Sequence, residues 1–430
     1  MRKDDKGYKK RRSMLYSFFV FCSVCLLSGC SSLSTNSNAS STTSSSATSG
    51  RSSAASAKIM SVATKPAIDA ATLKAQAILK TMSPDDKIAQ MIMVEFVNTD
   101  YVSSGLQQMV AQHVGGVLYQ PTINGNNNFD ASCYTITCAQ AFSAQINADE
   151  TIAPLIAIDE EGGEVDKVSQ FFPPSPSAEA LAQSGDPKQA YQAYNQAKTD
   201  ASELKQLGIN VDLAPVVDVG PVDPVTYGHR RFSTDATVVT AYASAFLRGL
   251  QDNGIPGALK HFPGLGDTDK NPHLEKVVIT RSMQDLQNID LLPYQKIIQN
   301  DNPAMVMTTD VLMQAMDPNQ LAEISPKVIG YLRNTLHFNG VIITDGLYMD
   351  GLYSSLGPDG RPTNDQLIQA GIQTINAGND LIEGPSNSYE VSGIISGVEA
   401  EIQQGTLSQS QIDQSVLRIL KMKIKYGIIK

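Results

Sequence analysis

A parallel (β/α)8 barrel of the TIM type, in the α/β class, is the fold this sequence predicts. Eight short apolar runs recur along the chain, at 91–96, 116–119, 155–159, 211–217, 258–262, 304–308, 341–345 and 380–383. Amphipathic stretches lie between most of them, such as 177–182 with 188–207, 237–253, 326–336 and 365–377. Near-continuous apolar strands separated by helices indicate a parallel sheet covered on both faces. Eight strands in about 350 residues favour closure over an open doubly wound sheet. Neither a second linker nor an internal repeat interrupts the pattern, so residues 69–430 are expected to form one domain.

The N-terminal segment stands apart from this pattern. Seven bases precede Ser13, an apolar run covers 14–27, and Leu27-Ser28-Gly29-Cys30 follows. Basic, apolar and small residues in that order form a secretory signal. The run is shorter than the roughly 20 residues of a membrane-spanning helix. Residues 1–29 are therefore expected to be a lipoprotein signal peptide, with Cys30 acylated as the new N-terminus; an ordinary signal with an incidental cysteine is the alternative. Residues 30–68 follow as a Ser/Thr-rich tether, too poor in apolar surface to offset the entropy of ordering it. An exported protein, lipid-anchored to the outer face of a bacterial membrane, is the expected location.

Within the body, Ser83-Pro84-Asp85-Asp86 marks a helix start, with a cap, a first-turn proline and acids at the positive helix end. The last helix, from Ser408 to about Tyr426, carries Ile412, Val416, Ile419, Leu420 and Ile424 at helical spacing and is read as packing. Cys133 and Cys138 lie close together in a polar stretch after the second strand, where export permits a disulfide; free thiols are the alternative. No further Cys/His pair lies near them, so no zinc site is expected. Loss of the signal removes seven bases and two acids, taking the formal charge from −10 to −15. That balance argues against nucleic acid as a partner.

Two strand ends concentrate the chemistry. Lys260-His261-Phe262-Pro263-Gly264 follows the fifth apolar run and leads through Gly266-Asp267-Thr268 to His273. The seventh run ends on Thr344-Asp345. Loops beyond strand ends are where barrel enzymes hold their reacting groups. A carboxylate nucleophile facing a histidine acid/base is the chemistry these two places suggest.

From about 70 to 430 the chain resembles the barrel of the glycoside hydrolase family 3 enzymes, in particular the β-N-acetylhexosaminidases built from this barrel alone. The matching segments are Asp159-Glu160-Glu161-Gly162-Gly163, residues 210–219, residues 228–232, residues 260–264, residues 344–349 and residues 377–380, in the family's order. The resemblance implies a retaining mechanism, in which a carboxylate attacks the anomeric carbon and an acid protonates the leaving oxygen. By the same resemblance Asp345 is the nucleophile, the plain alternative being a strand-end helix cap. His273 is the acid/base, since a histidine can give and then take a proton near neutral pH. Asp159, Arg230, Lys260 and His261 inherit substrate-holding roles, against the alternative of ion pairs bracing the barrel mouth. Glu161, Asp218 and Asp380 are read as structural. Neither metal nor cofactor is implied.

Four departures from the family fall near these residues. Leu265 stands where the family usually has histidine, Lys167 where it has arginine, and Asp310 where strand six usually ends on histidine. Asn271 replaces the aspartate that usually holds the acid/base histidine. Asparagine can orient His273 but brings no negative charge to stabilise the imidazolium, a loss that is severe in catalytic triads.

The reading favoured is a retaining β-N-acetylhexosaminidase acting on β-linked N-acetylglucosamine in cell-wall or chitin-like oligosaccharides. A carbohydrate-binding lipoprotein on an impaired enzyme scaffold is the alternative from another class. A β-glucosidase, or a variant that transfers the sugar to phosphate, is the alternative within the family. The sequence does not specify an oligomeric state.

Overall fold

A computed structural model describes residues 69–96, 101–119, 133, 135–148, 150–221, 229–266, 268, 270–358 and 360–430. Cys30, the expected signal peptide and the whole tether lie outside the described residues. Eight parallel strands form one sheet: β1 (Ile92–Phe96), β2 (Gly116–Tyr119), β3 (Leu155–Ile158), β4 (Val211–Asp212), β5 (Ala258–Phe262), β6 (Met305–Thr308), β7 (Val341–Gly346) and β8 (Leu381–Glu383). Their order is β4-β3-β2-β1-β8-β7-β6-β5. Parallel bridges Asp212–Gly257 and Val216–Lys260 then join β4 to β5. Val217 N–H donates to the Lys260 carbonyl at 2.7 Å, and Ala258 N–H to that of Ala214 at 2.9 Å. The sheet is thus a barrel, and every predicted strand is present.

β4 is shorter than the apolar run 211–217 suggests. Pro215 has no N–H to give to the ladder, so continuous pairing stops at Asp212 and resumes only as the Val216 bridge. The stretch 326–336 also differs from one regular helix. It is α-helical over Pro326–Gly330, then widens to a π turn over Tyr331–Thr335, with Leu336 N–H donating to the Tyr331 carbonyl at 3.1 Å. A pair of parallel strands outside the barrel, Val277–Ile279 with Val311–Met313, has no counterpart in the sequence reading; at three residues each, they are too short for a periodic signal.

The helices form as their caps dictate. Ser83 Oγ accepts from the Asp86 N–H while the Asp86 carboxylate accepts from Ser83 N–H, a reciprocal box around Pro84. The closing helix, Gln409–Lys425, buries Ile412, Val416, Ile419 and Leu420 completely. Each such side chain contributes roughly 1.5–3 kcal/mol. Cys133 and Cys138 are joined by a disulfide with Cα atoms 5.4 Å apart, just before and within the helix Ile136–Ala148.

Candidate active site

The strand ends converge on one cleft. It is lined by Asp159, Glu161, Val165, Lys167, Arg230, Lys260, His261, His273, Met307, Asp345, Tyr348 and Glu383. Six of the seven residues singled out from sequence for catalysis or sugar binding therefore share it. The seventh, Asn271, supports His273 from its own loop.

β5 supplies two of these side chains in succession. Consecutive residues of a regular strand point to opposite faces, yet Lys260 and His261 both line the cleft. The register of β5 against β6 shifts between Leu259 and Phe262, and this irregularity turns both inward. Lys260 is buried, its Nζ 2.5 Å from Asp159 Oδ1 and 2.6 Å from Glu161 Oε1. Burial alone would discharge the ammonium, but Asp159 and Glu161 outweigh it and hold its pKa above the usual lysine value. Lys260 is therefore a fixed cation and not a base.

The three successive acids after β3 have three different tasks. Asp159 faces the cleft and Lys260. Glu160 is buried and turns back, accepting from the N–H groups of Lys167 and Val168 at 2.8 and 3.2 Å, which folds the loop bearing Lys167 over the mouth. Glu161 accepts from Arg230 Nε at 2.7 Å and from Nη2 at 2.9 Å. Burial would raise the Glu161 pKa, but Arg230 and Lys260 hold it well below the carboxylate range. Arg230 and Lys260 thus form the bracing ion pairs weighed from sequence and also line the cleft. Lys167 lies in the cleft with its pKa lowered, mainly by burial.

Asp218 orients His261. Its Oδ2 lies 2.7 Å from His261 Nδ1, and its Oδ1 accepts from Leu265 N–H at 2.8 Å. Burial opposes the Asp218 charge, but His261 and Arg231 overcome it and lower its pKa. Nδ1 then carries the proton and Nε2 faces the Arg230 guanidinium at 3.5 Å. Leu265, in the family's histidine position, is buried and serves through its backbone; its carbonyl accepts from Arg231 Nη2 at 2.7 Å.

Asp345 closes β7, with Oδ2 accepting from Thr309 Oγ1 at 2.8 Å and Oδ1 from Gly346 N–H at 3.0 Å. The Tyr348 ring lies over Gly346, where a Cβ would come within 2.4 Å of it, so only glycine leaves that ring its place in the cleft. Behind Asp345, Asp310 is buried with Oδ2 lacking a hydrogen-bond partner among the described residues. Burial and the Asp345 charge push its pKa well up, and Glu323 beside it is pushed up in the same way.

His273 arrives on the loop after β5. Its backbone N–H donates to Asn271 Oδ1 at 3.0 Å, and its Nδ1 lies 3.0 Å from the same oxygen. The backbone donor identifies that Asn271 atom as the oxygen, so Nδ1 must carry a proton and Nε2 is the nitrogen left for the cleft. His273 keeps an exposed edge, but the protein atoms around its ring desolvate it enough to lower its pKa, with Asp345 acting against this. The loop is tied down by Gly351 N–H donating to the Pro272 carbonyl at 3.0 Å, and beyond it by the Val277–Ile279 strand.

Glu95, Tyr348, Thr309 and Glu383 were not among the residues singled out from sequence. Glu383 ends β8 as Asp345 ends β7, so a carboxylate at a barrel strand's C-terminal end could have flagged it. Glu95 is the one acid within the apolar run 91–96.

A closed parallel barrel whose strand ends gather cations and carboxylates around a small cleft is the architecture of a barrel enzyme with its active site at the C-terminal face. The sequence profile of the glycosyl hydrolase family 3 N terminal domain matches residues 83–422. Beta-hexosaminidase LpqI of Mycobacterium tuberculosis is 30% identical over 346 residues, covering 80% of this chain and 83% of its own. The solved structure of M tuberculosis LpqI superposes with a TM-score of 0.70 at 29% identity, covering 81% of this chain and 96% of that one. A family 3 beta-N-acetylglucosaminidase from Paenibacillus sp. gives a TM-score of 0.71 at 27% identity; 81% of this chain matches 63% of that longer one. The chain belongs to glycosyl hydrolase family 3 and is a glycoside hydrolase.

Proposed function

We propose that the protein is a retaining β-N-acetylhexosaminidase, removing β-linked N-acetylglucosamine from cell-wall or chitin-like oligosaccharides. The observation that carries this reading is the shared cleft of Asp345 and His273, with Asp159, Arg230, Lys260 and His261 around it. The names of the hexosaminidase relatives supply the choice of glycone.

In this reading Asp345 attacks the anomeric carbon as the bond to the leaving oxygen breaks, and His273 Nε2 delivers its proton to that oxygen. Neutral His273 then takes a proton from water, whose oxygen displaces Asp345 from the anomeric carbon. Thr309 and the Gly346 N–H hold the Asp345 carboxylate in one orientation throughout. Asp159, Lys260 and Arg230 engage sugar hydroxyls, and Lys260 cannot compete for the transferred proton because its charge is fixed.

Export and acylation of Cys30 place the enzyme on the outer membrane face, where the tether gives the barrel reach to polymeric substrate. The order of basic, apolar and small residues before Cys30 supports this. No helix among the described residues is long and apolar enough to cross a membrane.

The test is release of aryl leaving groups from β-N-acetylglucosaminide and β-glucoside by the full chain, with and without phosphate, beside Asp345→Asn. Asp345-dependent turnover of the N-acetyl sugar, indifferent to phosphate, supports the proposal. Turnover faster on the glucoside, or proportional to phosphate, assigns one of the two variants within the family. Sugar binding without turnover favours the impaired-scaffold reading, which the uncharged Asn271 partner motivates.

A further inference from the structure

One carboxyl group lining the cleft, Glu383, and a second behind it, Glu95, have no part in the mechanism above. β1 pairs with β8 in the register Ile92–Ile382 and Met93–Glu383. Paired residues of parallel strands share a face, and side chains on that face recur every second residue. Glu95 therefore lies on the same face as Glu383, one step further along. This register sets the two carboxyl groups side by side, close enough to share a hydrogen bond. Glu383 is buried and lines the cleft with Asp345; Glu95 sits behind it, with Oε1 buried and lacking a partner among the described residues.

A hydrogen bond between two carboxyl groups requires a proton, because two carboxylates in contact cannot both be ionised. The charged neighbours reinforce this. Among the described residues, the charges of Asp159 and Asp345 oppose ionisation of Glu383, and that of Lys260 favours it. Glu95 faces the same two acids and Glu390, and Tyr348 stands against both glutamates. Lys260 is already held by Asp159 and Glu161 at 2.5 and 2.6 Å, and its charge only partly offsets the acids around Glu383. Burial first, and these acids next, push both pKa values well above the ordinary carboxylate range. Such a pair titrates as a unit, not as two sites.

We propose that Glu383 is a sugar-binding residue of this cleft, held in place by a proton it shares with Glu95. This rests on the glycosidase reading. The bridging proton occupies one Glu383 oxygen, and the other accepts an O–H or N–H from the neutral ring bound over Asp345. When the proton leaves at alkaline pH, two adjacent negative charges repel, Glu383 swings from its position, and the glycone loses a contact. The site is thereby tuned to bind sugar best while the pair holds its proton.

The experiment is calorimetric binding of N-acetylglucosamine and of glucose to the full chain from pH 5 to 9, which needs no turnover. Four forms are compared: unaltered, Glu383→Ala, Glu383→Gln and Glu95→Gln, with thermal unfolding of each to verify the fold. Glu383→Ala is expected to weaken binding about 10-fold at pH 6, the loss of one hydrogen bond at a buried acceptor. Glu383→Gln and Glu95→Gln supply an amide N–H in place of the shared proton. They are expected to bind within about 3-fold of the unaltered protein at pH 6 and to abolish its alkaline loss of affinity. His273 titrates on the acid side of its ordinary value, so any limb it contributes lies at lower pH than that of the pair and persists in both glutamine variants. Sugar binding that is indifferent to Glu383→Ala, or an alkaline limb that survives in both glutamine variants, overturns the proposal alone. Absence of sugar binding by the unaltered protein overturns it together with the glycosidase reading.

Discussion

Asn271 Oδ1 accepts both the backbone N–H and the Nδ1 proton of His273, each across 3.0 Å. The orienting half of a carboxylate–histidine pair is thus preserved, and its charge is missing. Desolvation by the surrounding protein lowers the His273 pKa, and no anion at Nδ1 counters it. The protonated acid is then populated only on the acid side of the ordinary histidine range. The expected alkaline limb of kcat/KM, which reports groups of the free enzyme, lies below about 6.5. Asn271→Asp adds a negative charge at Nδ1 and should move that limb up by about one pH unit or more. Asn271→Ala removes the orientation and should lower kcat by about 10- to 100-fold. A pH–rate profile that does not move in Asn271→Asp would show that His273 is not the proton donor.

The cation at the end of β5 should matter for stability as well as for substrate. Lys260→Met keeps the stem but leaves Asp159 and Glu161 without the ammonium that lies 2.5 and 2.6 Å from them. Stranding buried charge in this way costs about 3–5 kcal/mol. Urea unfolding of Lys260→Met should show that loss in the midpoint with little change in slope. A loss below about 1 kcal/mol would mean that Arg230 alone suffices for Glu161 and that Asp159 is held by solvent.

Asp310 and Glu323 set a pH dependence of stability. Both are buried behind Asp345 with pKa values raised by burial and by neighbouring acids. The folded state therefore keeps protons that the unfolded chain has released above pH 3.8 and 4.5, the ordinary values of the two groups. Stability from this source is full below those values and falls as pH rises towards the folded ones. The melting temperature should be higher at pH 5 than at pH 7.5, and Asp310→Asn, which cannot ionise, should reduce the difference. Equal pH dependence in the two proteins would remove Asp310 as a cause.

The fold was legible because the barrel strands are apolar runs with helical stretches between most of them, and burial on both faces erases any competing alternation. What the period could not show was where a strand departs from it. Pro215 ends β4 early, and the shift at Leu259–Phe262 turns both Lys260 and His261 inward, which depends on β6 as partner. The candidate site was legible where residues match a family pattern, as at Asp159, Lys260 and Asp345. Glu95 and Glu383 were missed because their meaning lies in the β1–β8 register, 288 positions apart in the chain. Leu265 reads as a lost histidine in sequence, whereas the structure uses its backbone on Asp218 and Arg231.

Far from the cleft, Lys423 of the closing helix is wholly buried, its Nζ donating to Gln90 Oε1 at 2.8 Å. Burial pushes its pKa down to about 7, with Glu150 acting weakly in the other direction. An unfolded lysine titrates near 10.4, so between about pH 7 and 10 the unfolded chain binds a proton that the folded protein has shed. Stability should therefore rise with pH across that window, and the burial cost is at its largest below pH 7. Lys423→Met removes the titrating group at similar length, while leaving Gln90 Oε1 short of a donor at every pH. The stability difference between variant and unaltered protein should consequently shift by on the order of 2–3 kcal/mol between pH 6 and pH 9, in favour of the variant at the lower pH. Chemical denaturation at the two pH values measures this directly, and a difference that stays constant would show that Lys423 keeps its proton in the fold.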